Sequence, residues 1–138
     1  MEPQLVSDYV ATGKVRFEFR DFPFLSAQSV PAAEAAACAA DQAKFWPFHD
    51  TLFKNQSAAD AFSNARLKEM AKLLGLDTAA FNRCLDGGEK TQEVQQSLAD
   101  AKAQGINSTP TIFVNGTEVP WQGWDPLKQA IDAALAKK

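Results

Sequence analysis

The apolar positions along the chain predict a mixture of helical and extended segments. Helical spacing of apolar residues predicts a short helix over Pro3 to Ala11. Apolar and charged residues alternate from Val15 to Phe22, which predicts a half-buried strand that ends at Pro23.

Four or five helices are predicted after that strand, and they form one helical block. The predicted segments are Pro31 to about Lys44, a helix starting at Pro47, an apolar face from Leu67 to Leu74, a helix capped by Asp77 and ended by Gly87, and Glu89 to Gln104.

The C-terminal part of the chain returns to strands. Thr111 to Val114 is predicted as a strand, Asn115-Gly116 as a hairpin turn, Glu118 to Trp121 as the return strand, and Pro126 to Ala136 as an amphipathic helix. A strand, a helical block and a strand–hairpin–helix unit predict an α/β fold with a small sheet and a helical insertion.

The composition of the 138 residues is that of an ordinary globular domain, with 46% hydrophobic and 22% charged residues. The net charge of −3 and the lack of a Lys/Arg cluster argue against a nucleic-acid-binding protein. The sequence has no apolar run near the roughly 20 residues of a membrane-spanning helix. Its first residues, Met1 to Gln4, do not resemble an export signal.

Three stretches resemble the DsbA-like thioredoxin family of thiol–disulfide oxidoreductases: Lys14 to Pro23, Ala32 to Phe53, and Gly105 to Gly116. The resemblance implies a thioredoxin-like α/β fold. Residues 1–30 and 89–138 would form its core, and residues 31–88 an inserted helical domain. It further implies cysteine oxidation in exported proteins without a cofactor, in the periplasm or another extracytoplasmic compartment, with extended cysteine-containing polypeptides as substrates.

Members of that family usually begin with a strand followed by a Cys-x-x-Cys pair, whereas the two cysteines here are Cys38 and Cys84. Pro3 to Ala11 matches only the end of the helix that carries the pair, so we expect the central strand to be missing. Two explanations stay open: a truncated chain, or a natural relative without the redox pair. Under both, this chain holds no catalytic residue.

The missing strand also has a structural consequence. It would leave two bare sheet edges, at Val15 to Phe22 and at Thr111 to Val114, and bare edges pair readily with other strands. We therefore expect either a homodimer or direct pairing of these two strands.

The resemblance assigns substrate binding to Ser108, Thr109 and Pro110. It implies a cis Thr109–Pro110 peptide bond, with the residue before the proline offering its main chain to an extended substrate. The residues alone also permit an ordinary trans proline at the start of a strand.

Cys38 and Cys84 both fall in the implied insertion, and we interpret them as a structural disulfide that suits an oxidising compartment. Two buried free thiols are the alternative. His49, the only histidine, is interpreted as structural, with Asp50 or a backbone group as its partner. One histidine and two distant cysteines make no convincing metal site.

Three aromatic residues near the hairpin, Phe113, Trp121 and Trp124, are interpreted as core rather than as the lining of a groove. The sequence as a whole favours a DsbA-like thiol–disulfide oxidoreductase that is inactive as given. The alternatives are a non-catalytic peptide-binding module and a glutathione-dependent transferase or isomerase of the same fold.

Overall fold

The computed structural model describes residues 1–137. Its elements are α1 (Glu2–Leu5), a π-helical segment (Val6–Val10), α2 (Ser29–Ala40), α3 (Phe45–Asn55), α4 (Asn64–Leu73), α5 (Thr78–Asp86), α6 (Thr91–Ala103), β1 (Ile112–Val114), β2 (Thr117–Val119) and α7 (Trp124–Leu135). The described helices are all too short or too polar to cross a lipid bilayer.

The chain divides into two compact units. One comprises residues 1–20 and 105–138, and the other is the all-helical unit of residues 21–104. This second unit extends beyond the predicted insertion of residues 31–88 because α6 is tied to α2. Thr91 Oγ1 donates to Glu34 Oε1 at 2.7 Å, and Lys90 Nζ lies 2.7 Å from Asp41 Oδ1. The assignment of residues 31–88 as an insertion stays a prediction.

The core of the helical unit is built around α2, which packs against α3, α4, α5 and α6. Nearly all of its inward positions are small, and this lets the neighbouring helices approach closely. The buried residues of α2 are Ala32, Ala33, Ala35, Ala36, Ala37, Cys38 and Ala39. The large apolar side chains come from its neighbours, and the ring of Phe48 in α3 packs at a tilt against that of Phe81 in α5, with ring centroids 5.4 Å apart.

A disulfide joins Cys38 of α2 to Cys84 of α5 inside this core, with Cα atoms 5.9 Å apart. The predicted pairing is therefore confirmed. Both residues are buried, since Cys38 is 1% exposed and Cys84 is 5% exposed. The disulfide is therefore a structural link that lies away from solvent.

One helix start in this unit follows the expected chemistry, and another does not. Asp77 Oδ1 accepts a hydrogen bond from the backbone N–H of Ala80 at 3.0 Å, as an N-cap should. The helix predicted to begin at Pro47 instead begins at Phe45. Pro47 is then the third helical residue, where its missing N–H costs nothing because the first turn has no intrahelical acceptor.

The hairpin is the sheet of the other unit, and its register follows from a two-residue turn. Asn115 (φ 49°) and Gly116 (φ 80°) both take the left-handed conformation that such a turn requires. Val114 then pairs with Thr117, and Ile112 with Val119. Ile112, Val114 and Val119 pack with α7 and the N-terminal helical segment in a second apolar cluster centred on Leu5, Tyr9, Leu127 and Ile131.

The strand predicted over Val15 to Phe22 is wrong. Side-chain burial alternates there as expected, but within residues 1–137 the strand pairing is confined to β1 and β2. The predicted direct pairing with Thr111 to Val114 is therefore wrong as well. A strand is defined by backbone hydrogen bonds to a partner, and an alternating pattern specifies only which side chains face inward.

A polar contact fastens the N-terminal segment to α7. The Tyr9 hydroxyl donates to Asp132 Oδ1 at 2.6 Å, and Lys128 Nζ lies 2.7 Å from Asp132 Oδ2. Lys128 and Tyr9 together hold the pKa of Asp132 below its ordinary value of 3.8. The Asp132 carboxylate therefore favours the folded state above that pKa, and the benefit is lost as the pH falls through it.

We expect Tyr9→Phe to lower the urea midpoint of unfolding at neutral pH, because the packed ring stays while the Asp132 carboxylate loses a donor. The deficit should shrink in acid, as the pH falls through the lowered pKa of Asp132 and the carboxylate becomes protonated in the wild type as well. Urea titrations at neutral pH and at acid pH check this. Ser7→Ala, an exposed hydroxyl on the same segment, is the matched control, and an equal deficit at both pH values would contradict the assignment.

Removal of the disulfide should destabilise the folded state by about 4 kcal/mol in the chain-entropy treatment, because the bond closes a loop between residues 46 positions apart. The test compares urea unfolding of the wild type with that of Cys38→Ala/Cys84→Ala, each with and without dithiothreitol. Reductant should weaken the wild type and leave the double variant unchanged. The prediction would be contradicted if the urea midpoint of the wild type stayed the same after the unfolded protein had been reduced with dithiothreitol.

Candidate functional site

The loop between α6 and β1 carries the three predicted substrate-binding residues. Gly105 (φ 77°) ends α6, and the Thr109–Pro110 peptide bond is cis. Ser108, Thr109 and Pro110 are all exposed. The loop is held from within, since the Thr111 hydroxyl donates to the backbone oxygen of Ser108 at 2.8 Å.

The main chain of Thr109 is the part of this loop that can pair with another chain. The Ser108 oxygen already accepts from Thr111, and Pro110 has no N–H to donate. Within residues 1–137, neither the N–H nor the oxygen of Thr109 makes a hydrogen bond. One donor and one acceptor on an exposed backbone residue are what strand addition by a peptide requires.

The aromatic residues around the hairpin differ in their burial. Trp124 packs in the second apolar cluster, with its ring 6.3 Å from that of Tyr9, as predicted for a core residue. Phe113 and Trp121 are 44% and 40% exposed, so their assignment to the core is wrong. Phe113 pairs with Glu118 across the hairpin and therefore lies on the sheet face opposite Ile112 and Val119.

The two cysteines lie in the helical unit, where their disulfide joins α2 to α5, and the proline loop belongs to the other unit. His49 is also in the helical unit and is buried, with 3% of its surface exposed. Its Nδ1 lies 3.3 Å from Asp50 Oδ1, the partner expected from the sequence. Its ring packs 4.6 Å from Phe53 and 5.5 Å from Trp46, which fits a structural role.

One ionisable residue of interest was missed by the sequence reasoning. Burial, with a smaller contribution from the nearby charge of Glu93, raises the pKa of Asp21 to about 6, although the charge of His49 acts in the opposite direction. The signal was present in the alternation. Counting by two from Val15 places Asp21 on the inward side with Phe17 and Phe19, and the structure shows it partly buried.

Comparison with known proteins places these features in a family. The thioredoxin family model matches residues 1–133. A thioredoxin-like oxidoreductase from Silicibacter pomeroyi has a solved structure that superposes with a TM-score of 0.74 at 29% identity, covering 94% of this chain and 73% of that one.

Two curated relatives carry names from disulfide chemistry. A disulfide bond formation protein D from Bacillus anthracis is 30% identical over 141 residues, covering 98% of this chain and 64% of that protein. A protein from Rickettsia typhi named as a protein-disulfide oxidoreductase is 29% identical over 137 residues, covering 96% of this chain and 50% of that protein. The chain thus spans between half and two thirds of the length of these relatives. The predicted fold class is confirmed, and the chain belongs to the thioredoxin-like, DsbA-type oxidoreductase family.

Proposed function

We propose that this chain serves thiol–disulfide exchange by binding extended, cysteine-containing polypeptides along the proline loop. The observation that carries the proposal is the exposed Thr109 main chain, whose donor and acceptor are unused within residues 1–137. A peptide laid against this residue would form both hydrogen bonds in an extended conformation. The names of the relatives, which refer to disulfide bond formation and to protein-disulfide oxidoreductases, support the same chemistry.

The reaction places a simple demand on such a loop. In thiol–disulfide exchange, a thiolate attacks one sulfur of a disulfide, a mixed disulfide forms, and the other sulfur leaves as a thiolate. The three sulfurs must lie nearly in line, so the polypeptide carrying the substrate cysteine has to be held at a fixed distance and direction. Pairing with Thr109 fixes the backbone of the substrate without reading its side chains. Substrates of varied sequence would then be accepted.

We further propose that the Cys38–Cys84 bond takes no part in exchange with substrates. Both residues are at least 95% buried, so an incoming thiolate cannot reach either sulfur without unfolding of the helical unit. This disulfide also fits an oxidising, extracytoplasmic compartment, as the sequence led us to expect. The homodimer stays a prediction.

In the presence of this chain, insulin reduction or oxidation of a dithiol peptide should proceed no faster than the uncatalysed reaction. The assay compares the wild type with Cys38→Ala/Cys84→Ala at equal concentration, under conditions where both are folded. Robust turnover by the wild type that the double variant lacks would contradict the proposal and assign exchange to the buried pair.

Peptide binding should depend on main-chain hydrogen bonds to Thr109. The probe is an extended peptide with serine in place of its cysteine, so that no covalent capture occurs. N-methylation of its central amide should raise the dissociation constant roughly fivefold to tenfold, because the complex loses a hydrogen bond worth about 1 kcal/mol of binding free energy. N-methylation at a terminal residue is the matched control, and fluorescence anisotropy is the measurement.

A protein variant tests the same loop from the other side. Thr111→Val keeps the side-chain shape and removes the hydroxyl that holds the Ser108 oxygen, so peptide affinity should fall as the loop loosens. Thr117→Val, an exposed threonine at the far end of the hairpin, is the control.

Equal affinity for the two methylated peptides would contradict strand addition. A melting-temperature shift with glutathione, without peptide binding, would favour the glutathione-dependent alternative.

A further inference from the structure

The segment of residues 21–28, which leads into α2, combines exposed apolar side chains with a partly buried acid. Phe24 is 41% exposed and Leu25 is 75% exposed. Pro23, the residue before Phe24, is buried. The rings of Phe22 and Phe24 pack against each other at a tilt, with centroids 4.6 Å apart. All of these residues belong to the helical unit.

Few polar contacts hold the segment in place. At its start, the Ser97 hydroxyl of α6 donates to the backbone oxygen of Asp21 at 2.7 Å. At its end, the backbone N–H of Ser26 donates to Ser29 Oγ at 3.2 Å. Between them, the backbone N–H of Phe24 donates to the Phe22 oxygen at 3.0 Å. Among the hydrogen bonds of residues 1–137, the bond from Ser97 is the one that links this segment to α6.

The Asp21 carboxyl group sits at this link without a stabilising partner. Its side chain makes no hydrogen bond or ion pair within residues 1–137, and it is partly buried. Two charged groups act on it: Glu93 of α6, one helical turn before Ser97, and His49 of α3, whose Nδ1 is engaged by Asp50. Burial and a neighbouring negative charge both favour the protonated form of a carboxyl group.

We propose that Asp21 and Ser97 form a proton-controlled latch on the 21–28 segment. With Asp21 neutral, the segment stays docked on α6 through the Ser97 hydrogen bond. When Asp21 loses its proton, the carboxylate moves into water, the Ser97 bond opens, and the environment of Phe24 and Leu25 changes. The latch makes docking of the 21–28 segment on α6 depend on the pH of the surroundings.

The direction and size of the effect follow from the raised pKa. The docked state binds the proton more tightly than the open state, so docking is favoured at low pH and weakens as the pH rises through about 6. If the open state has the ordinary carboxyl pKa of 3.8, the ratio of open to docked molecules rises up to roughly 100-fold, tenfold per pH unit between the two values.

The test is an NMR titration of the whole chain between about pH 4 and pH 8. In the wild type, the Asp21 carboxyl carbon should titrate near pH 6, and hydrogen-exchange protection at Phe24 and Ser26 should fall over the same range. Asp21→Asn, the same size as the neutral acid, should keep that protection constant across the range. Ser97→Ala should lower protection at acid pH, where the latch is closed in the wild type.

Two controls separate Asp21 from its neighbours. Glu93→Gln should shift the midpoint to lower pH, because it removes a negative charge that raises the Asp21 pKa, and His49→Gln should shift it to higher pH. Far-ultraviolet circular dichroism confirms that each variant keeps its helices. An Asp21 midpoint below about pH 4.5, or the same pH-dependent loss of protection in Asp21→Asn, would overturn the proposal.

Discussion

The two-residue turn at Asn115 and Gly116 sets the geometry on which the candidate site depends. Both residues take positive φ angles, so the turn fits the twist of the strands and fixes Val114 opposite Thr117. A shift of one residue would put Ile112 and Val114 on the sheet face opposite Val119, so one strand or the other would lose its place in the second apolar cluster. The apolar cluster and the turn therefore specify the same register, and this register determines where β1 begins and where the preceding proline loop emerges.

The packing of the helical unit depends on a central helix, α2, with small side chains. Its central helix offers mostly alanine to its neighbours, so the bulk of the core comes from Phe48, Leu67 and Phe81 on the surrounding helices. Small residues on a central helix allow close approach but contribute little apolar area of their own. The Cys38–Cys84 bond compensates at this point, because it joins the central helix to α5 without demanding more volume.

Local chemistry made part of this structure predictable. The Asp77 cap and the Asn115-Gly116 turn depend on residues that are neighbours in the chain, so a short stretch of sequence was enough. The strand at Val15 to Phe22 failed because pairing depends on a partner that the alternation does not specify. Phe113 and Trp121 failed because their exposure depends on which face of the hairpin has a cover, and tertiary packing decides that.

The candidate site and the latch share a feature that sequence patterns do not record. Thr109 has a backbone donor and acceptor unused within residues 1–137, and Asp21 has a carboxyl group without a partner in the same part of the chain. Folding normally pairs the buried polar groups, so the partly buried Asp21 carboxyl group is a position where packing alone does not explain the arrangement. The two cases differ in what can engage them. The exposed main chain of Thr109 is available to another polypeptide, whereas burial of the Asp21 carboxyl group favours binding of a proton. The first property favours recognition, and the second favours a response to pH.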